Sequence, residues 1–276
     1  MNHLWDSHLH TSFSADCEIP PETMLQRAKN LGLKGITFTD HMDYDYPGED
    51  PHRFELDIKE YFLKMTSILE EESKYPSDTS VLVGMELGLQ PHLADLHKDL
   101  VHTLPLDYVI GSIHVANHMD PYYPEFYGGR SGKDAYREYF SCALENLNCF
   151  TDFDSFGHLD YVVRYAKNHL SEAESHYDYR DYKDLIGEIF KILIKNDIAL
   201  EVNTGAYRSG LNEPNPNFET LMFYRDCGGK LITLGADAHK TEHVGLHFDK
   251  IADELKAIGF KEYAVYKKRK PMIFEL

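Results

Sequence analysis

The stretch WDSHLHTSFSADCE, residues 5–18, holds two histidines two positions apart, with Asp16 following His10 by six residues. Side chains two apart on a strand share a face, so His8 and His10 project together at the end of a short β-rich run. Sixteen histidines in 276 residues produce about one His-x-His pair by chance, so the pair acquires meaning only from its surroundings. Those surroundings repeat its layout. TFTDH (37–41), GMELG (84–88), GSIH (111–114), FGHLD (156–160), LEVN (200–203) and GADAH (235–239) each close a β-rich run with a metal-ligand residue type or a neighbouring polar group.

The runs near 4–10, 35–41, 80–88, 107–115, 154–160, 198–205 and 230–238 are each followed by a segment of helical periodicity. That alternation predicts an α/β fold of βα units around a parallel sheet. Pro20 and Pro21 start a first helix, with Leu25 and Ala28 on one face and Gly32 as its stop, and 57–75 reads as a long amphipathic helix. No repeat, low-complexity tract or flexible linker divides the chain, so 1–276 reads as one domain. Two stretches, 116–132 and 161–181, read as long loops leaving strand ends, the second carrying Tyr161, Tyr165, Tyr177 and Tyr179; both are expected to wall a pocket.

A formal net charge of −18 argues against nucleic acid and anionic membrane as partners, because both bind through phosphate neutralisation. The basic run YKKRKP, 266–271, reads as a solvated end. Cys17, Cys142, Cys149 and Cys227 have neither C-x-x-C spacing nor the density of a disulfide framework, which suits a reducing cytoplasm. Neither a signal peptide nor a membrane span is predicted.

In a closed barrel the C-terminal strand ends converge on one mouth, so these motifs meet there despite their separation. Imidazole and carboxylate without thiolate suit Zn, Mn or Fe. A glutamate has two oxygens and can bridge adjacent cations, and a water between two cations loses a proton near neutral pH, supplying a hydroxide for in-line attack on phosphorus. Dications in the mouth would make the local field positive, which allows an anionic substrate despite the acidic surface. Arg164 and Arg208 follow the fifth and sixth runs, where a guanidinium fork can grip phosphate oxygens. Asp40, Asp160, Glu201 and Asn203 read as residues that orient ligands or meet the substrate.

The ordered series DSHLH, TDH, GMELG, GSIH, GHLD, EVN and DAH resembles the polymerase and histidinol phosphatase (PHP) superfamily, and the arginines in GHLDYVVR and NTGAYR are similar to those of monofunctional histidinol-phosphate phosphatases. The resemblance implies a distorted (β/α)7 TIM-like barrel with two to three divalent or trivalent ions. His8, His10, Glu86 and Asp237 would hold one ion; Glu86 would bridge to a second, held with His114 and His158; Asp16, His41 and His239 would hold the third. It further implies hydrolysis of L-histidinol phosphate by a monomer or homodimer. Glu86, Asp237 and His239 are the catalytic candidates, and Arg164, Arg208, Ser14 and Asp160 the substrate contacts. Loop tyrosines and carboxylates are expected to receive the imidazole and ammonium. Three other readings stand beside this one: a different phosphoester as substrate, a non-catalytic metal-binding module, and an amidohydrolase, many of which need a carboxylated lysine where this chain has His114.

Overall fold

A computed structural model describes residues 4–276. The strands are β1 (Trp5–Leu9), β2 (Gly35–Phe38), β3 (His41–Met42), β4 (Ser80–Gly88), β5 (Tyr108–Ser112), β6 (Ser155–Phe156), β7 (Ala199–Asn203), β8 (Ile232–Gly235), β9 (Glu262–Lys267) and β10 (Lys270–Glu275). The parallel path runs β1-β2-β4-β5-β6-β7-β8, with β3 beside the second half of β4. The two ends of that path meet. His10 N–H donates to Ala238 O at 2.9 Å and Asp237 N–H to His8 O at 2.7 Å, which joins the end of β1 to the segment after β8 and nearly closes a barrel.

Each of the seven expected strands is present, several shorter than the periodicity suggests. The run 35–41 breaks after Phe38, where the Thr39 hydroxyl takes the Leu9 N–H (3.1 Å) in place of a ladder carbonyl. β6 has only two residues because His158 N–H leaves the ladder and donates to the Glu201 carboxylate (2.7 Å). In both places a side chain near the mouth replaces main-chain pairing, which shortens the strand where ligands must project.

The intervening helices are α1 (Pro21–Leu31), α2 (Ile58–Lys74), α3 (Ala94–Thr103), α4 (Pro124–Tyr127), α5 (Gly132–Cys149), α6 (Val162–His169), α7 (Lys183–Lys195), α8 (Phe218–Asp226) and α9 (Ile251–Ala257). α1 ends at Gly32, whose φ of 66° is a left-handed cap that glycine adopts without Cβ cost. α2 starts on Asp57, whose carboxylate accepts the Glu60 N–H at 3.0 Å, and buries Tyr61, Met65 and Ile68 along one stripe. Within that stripe the Tyr61 hydroxyl donates to Gly84 O (2.9 Å), tying the helix to the strand that carries Glu86.

Two sequence expectations are corrected. The stretch 161–181 is not one loop: it contains α6 and leads into a 3-10 turn at Tyr179–Tyr182, because Val162 and Ala166, one turn apart, form a buried helical face while Arg164, on the other side, turns into the cavity. The basic run 266–271 is solvated, with Lys267, Lys268 and Lys270 exposed, but it is not an end: it forms the turn of the β9–β10 hairpin. Lys268 and Arg269 both take positive φ (50° and 61°), a turn ordinarily marked by Asn or Gly, which is why the sequence conceals it. The hairpin closes the N-terminal end of the barrel, with Tyr266 stacked on Tyr108 and Arg269 bonded to Asp154 at 2.6 Å.

Candidate metal centre and substrate cavity

β1 delivers His8 and the residue just beyond its end delivers His10, both fully buried, with Nε2 atoms 3.1 Å apart. Glu86, inside β4, stands at the centre of the cluster. Its Oε2 lies 3.2 Å from His8 Nε2, 3.4 Å from His10 Nε2 and 3.1 Å from His41 Nδ1. Its Oε1 lies 3.2 Å from His114 Nε2 and 2.9 Å from His158 Nε2. Asp237 Oδ1 is 3.5 Å from His10 Nε2 and from His239 Nδ1, while Asp16 Oδ2 is 3.2 Å from His239 and 3.7 Å from His41. All nine side chains proposed as ligands therefore lie in one cluster. Three tight triads could each hold a cation: His8–His10–Glu86, His41–Glu86–His114 and His10–His41–His239. In this geometry His41 belongs both with Glu86 and with His239, and Asp16 sits at the exposed rim.

The surrounding hydrogen bonds set the histidine tautomers. His8 Nδ1 meets Glu201 Oε1 at 2.6 Å, His114 Nδ1 meets Asp43 Oδ2 at 2.7 Å, and His10 Nδ1 meets Ser14 Oγ at 3.1 Å. Ser14 Oγ itself donates to Asp40 (2.7 Å), so it accepts from His10. Each imidazole thus carries its proton on Nδ1 and turns a bare Nε2 inward, the form that binds a metal. A side chain at Gly235 would destroy this order, since a Cβ there falls 2.4 Å from Glu201 Oε1 and 2.5 Å from His8 Cβ.

Electrostatics also fit a cation. Burial alone would raise the Glu86 carboxyl, yet the imidazoles of His8, His114 and His41 hold it well below the carboxylate range. Burial lowers His10 far below the usual imidazole value, and the neighbouring rings of His239 and His41 lower it further. Burial would lower His8, His41 and His114, but the carboxylates of Glu201, Asp16, Asp43 and Glu86 raise them well above the usual imidazole value, a positive charge that a bound cation would supply in place of the extra protons. The buried Glu86 Oε2 has no hydrogen-bond partner without a cation.

The two arginines differ. Arg164 is buried with every arm engaged: Nε to Asn215 Oδ1, Nη1 to Asp237 Oδ2 and Nη2 to Asn203 Oδ1, each at 2.7 Å. Arg208 is 22% exposed and holds Ala236 O (3.0 Å) and Asp237 Oδ1 (3.2 Å) more loosely. Burial would raise Asp237, but these two guanidiniums bring its carboxyl well below the ordinary range. Ser14 and Asp160, expected to meet substrate, lie outside the cavity lining. Ser14 bridges His10 and Asp40, and Asp160 accepts the Asn215 amide at 2.6 Å. Glu201 and Asn203 form one chain behind the histidine cluster, from His8 through Glu201 and Asn203 to Arg164.

The cluster floors a cavity of about 390 Å³. Tyr161 and Tyr165 line it as expected, whereas Tyr177 stacks on Tyr182 and Tyr179 packs on Phe223, both away from it. Sequence reasoning missed Asp43, Asn215, Tyr46, Phe54 and Asp120. Asp43 carries a signal in hindsight, standing two residues after His41, where alternation returns it to the same face. Asn215 carries none.

Residues 6–205 match the PHP domain family model. The chain belongs to the PHP domain family. It is 33% identical to a probable histidinol-phosphatase of Clostridium acetobutylicum, over 89% of this chain and 90% of that one. It is 30% identical to the histidinol-phosphatase of Lactococcus lactis, over 95% of this chain and 93% of the other. The crystal structure of the Lactococcus lactis histidinol phosphate phosphatase in complex with Zn, L-histidinol and phosphate superposes with a TM-score of 0.87, covering 98% of this chain and 99% of that one. The β/α order, the nearly closed barrel and the metal-competent clusters are therefore those of a PHP barrel with a place for metal ions.

Proposed function

We propose that the chain is a metal-dependent phosphomonoesterase that hydrolyses L-histidinol phosphate to L-histidinol and inorganic phosphate. The observation that carries this reading is Glu86, whose two oxygens face imidazoles from opposite sides of the cluster, the arrangement a carboxylate needs to bridge two cations. In this reading His8, His10, Glu86 and Asp237 hold one ion, Glu86, His114 and His158 a second, and Asp16, His41 and His239 a third. Bound there, the ions supply Lewis acidity toward the phosphoryl oxygens and lower the pKa of water.

The protein's own groups orient the reaction. Arg208, accessible from the cavity, places its fork on the phosphate, while Arg164 holds Asp237 in position. The P–O ester bond breaks as oxygen from water bonds to phosphorus, and the leaving alkoxide takes a proton. Asp237 and His239 line the cavity beside the cluster; Asp237, kept ionised by the two guanidiniums, would accept the proton of the attacking water, which the leaving alkoxide takes up in turn. Ser14 and Asp160 act by holding His10 and Asn215.

All four cysteines are free, as a reducing compartment requires, and among the described residues no helix is long and apolar enough to cross a membrane. We read the chain as a single cytoplasmic barrel domain working as a monomer or homodimer, with no nucleic-acid partner. Purification with metal analysis, followed by phosphate release over a panel of esters, tests the reading. L-Histidinol phosphate is expected to be the best substrate. A metal-loaded protein that releases phosphate faster from a sugar phosphate, a nucleotide or phosphotyrosine overturns the substrate assignment.

A further inference from the structure

Most of the buried carboxylates in the cavity wall already face a positive or proton-donating ring. Glu86 is surrounded by imidazoles, Asp43 meets His114, and Asp237 lies between Arg164 and Arg208. Asp120, on the segment between β5 and α4, is the exception. It is 6% exposed and lines the cavity, yet among the described residues no Lys, Arg or His nitrogen approaches its carboxylate within salt-bridge distance. Its bonds come from neutral donors: Tyr46 Oη to Oδ2 at 2.6 Å and the Tyr122 N–H to Oδ1 at 2.7 Å. Desolvating a carboxylate without a cation is costly, and two neutral hydrogen bonds offset only part of that cost. A ligand cation completes the set.

We propose that Asp120 is the specificity-determining residue of this cavity, receiving the protonated amine of the leaving alcohol while the phosphate lies on the metals and Arg208. The inference rests on the phosphatase reading above and assigns the end of the substrate remote from phosphorus. Three further features support it. Tyr46, Tyr123 and Tyr161 line the same cavity, and aromatic faces attract cations. The Tyr46–Asp120 pair also walls an outer cavity of about 850 Å³ that bears Glu49, Asp50 and Glu125 against the single guanidinium of Arg53, so the approach to Asp120 carries net negative charge. The Tyr46 hydroxyl and the Tyr122 amide fix the carboxylate before any ligand arrives, so its rotamer need not be ordered on binding.

The test compares wild type, Asp120→Asn and Tyr46→Phe, each with its metal content measured. Steady-state kinetics are recorded on L-histidinol phosphate and on 4-nitrophenyl phosphate, which has no amine, and L-histidinol is titrated calorimetrically into each protein with inorganic phosphate present. Asp120→Asn is expected to raise KM for L-histidinol phosphate, and Kd for L-histidinol, by about tenfold to a hundredfold, as loss of one charged hydrogen bond predicts. Its kcat/KM on 4-nitrophenyl phosphate should stay within about threefold of wild type. Tyr46→Phe keeps the charge and should shift the same constants in the same direction by a smaller factor. Equal losses on both esters would make Asp120 a structural residue and overturn the proposal, as would unchanged L-histidinol affinity in both variants. If wild type hydrolyses neither ester, the phosphatase reading fails, and the calorimetric comparison still decides Asp120: weaker binding by Asp120→Asn supports it, and no binding or equal binding overturns it.

Discussion

The two ends of the barrel are built from the same seven strands and treat buried charge in opposite ways. At the C-terminal mouth, imidazoles and carboxylates crowd within about 3–4 Å with bare nitrogens turned toward one another, an arrangement complete only with cations. At the N-terminal end the charges pair among themselves. Arg269 bonds Asp154 Oδ2 (2.6 Å) and Asp152 O (3.0 Å), and the hairpin that carries it covers Tyr108, Ile110 and Ala199 with Ala264 and Tyr266. One end is a receptor for ions and the other a plug. The difference teaches where substitutions should alter chemistry and where they should alter only stability.

The sharpest way to break the contrast is Glu86→Gln. An amide cannot carry the charge that balances two cations, so metal content and turnover should fall together. Loss of an outer partner to a metal ligand costs 10- to 100-fold, and the bridging ligand should cost more than about a hundredfold. A fully metallated Gln variant with near-normal rate would remove Glu86 from the bridge.

Next in size is Arg208. Both Arg208→Lys and Arg208→Ala should lower kcat/KM by about tenfold to a hundredfold, because a charge-assisted hydrogen bond contributes about 1.5–3 kcal/mol and lysine lacks the fork. Metal stoichiometry should stay unchanged. An Ala variant with wild-type kcat/KM assigns phosphate binding to the metals alone.

At the opposite end, Arg269→Ala leaves Asp154 buried with only the Val109 N–H as donor. Burial, partly offset by Arg269, already raises the Asp154 carboxyl to about 6. Unfolding at neutral pH should become easier by about 1–3 kcal/mol, read as a lower Tm, while kcat and metal content hold. A drop in kcat at unchanged metal content would show that the plug and the mouth are coupled.

The smallest effect at neutral pH belongs to His97 on α3, whose ring nitrogens have no partner and lie against Tyr44 and Phe150. Burial lowers its pKa to about 4. The unfolded chain therefore binds a proton at a higher pH than the folded one. The stability His97 contributes is present above its unfolded pKa near 6.5 and is lost as pH falls toward 4, by about 3 kcal/mol at most. His97→Phe should flatten the acid limb of a denaturation-versus-pH curve and leave the curve above pH 7 nearly in place. An unaltered acid limb would mean that His97 is protonated in the folded state.

Much of the mouth was legible in the chain. Strand-end motifs recur in order, and period-two alternation places His8 beside His10 and Asp237 beside His239, so local geometry alone announces a shared face. The caps at Asp57 and Gly32 were equally local. What stayed hidden depends on partners distant in sequence. Arg164 and Arg208 look alike as residues, and only the packing of Asn203, Asn215 and Asp237 around the first makes it a positioning arm. Ser14 reads as a substrate contact until Asp40 and His10 are seen to occupy it.

The sequence by itself therefore determined the alternation of strands and helices, the residue types at each strand end and their shared face, because these follow from backbone periodicity and side-chain chemistry. Tertiary structure decided which nitrogen of each histidine turns inward, which arginine is held more loosely at the open side of the cavity, how a glycine-free turn folds the basic tail under the barrel, and that Asp120 is left without a counter-ion among the described residues. These depend on distances of a few ångströms between residues tens to hundreds of positions apart. Such distances arise only when the barrel closes, here through the bonds that join the end of β1 to the segment after β8.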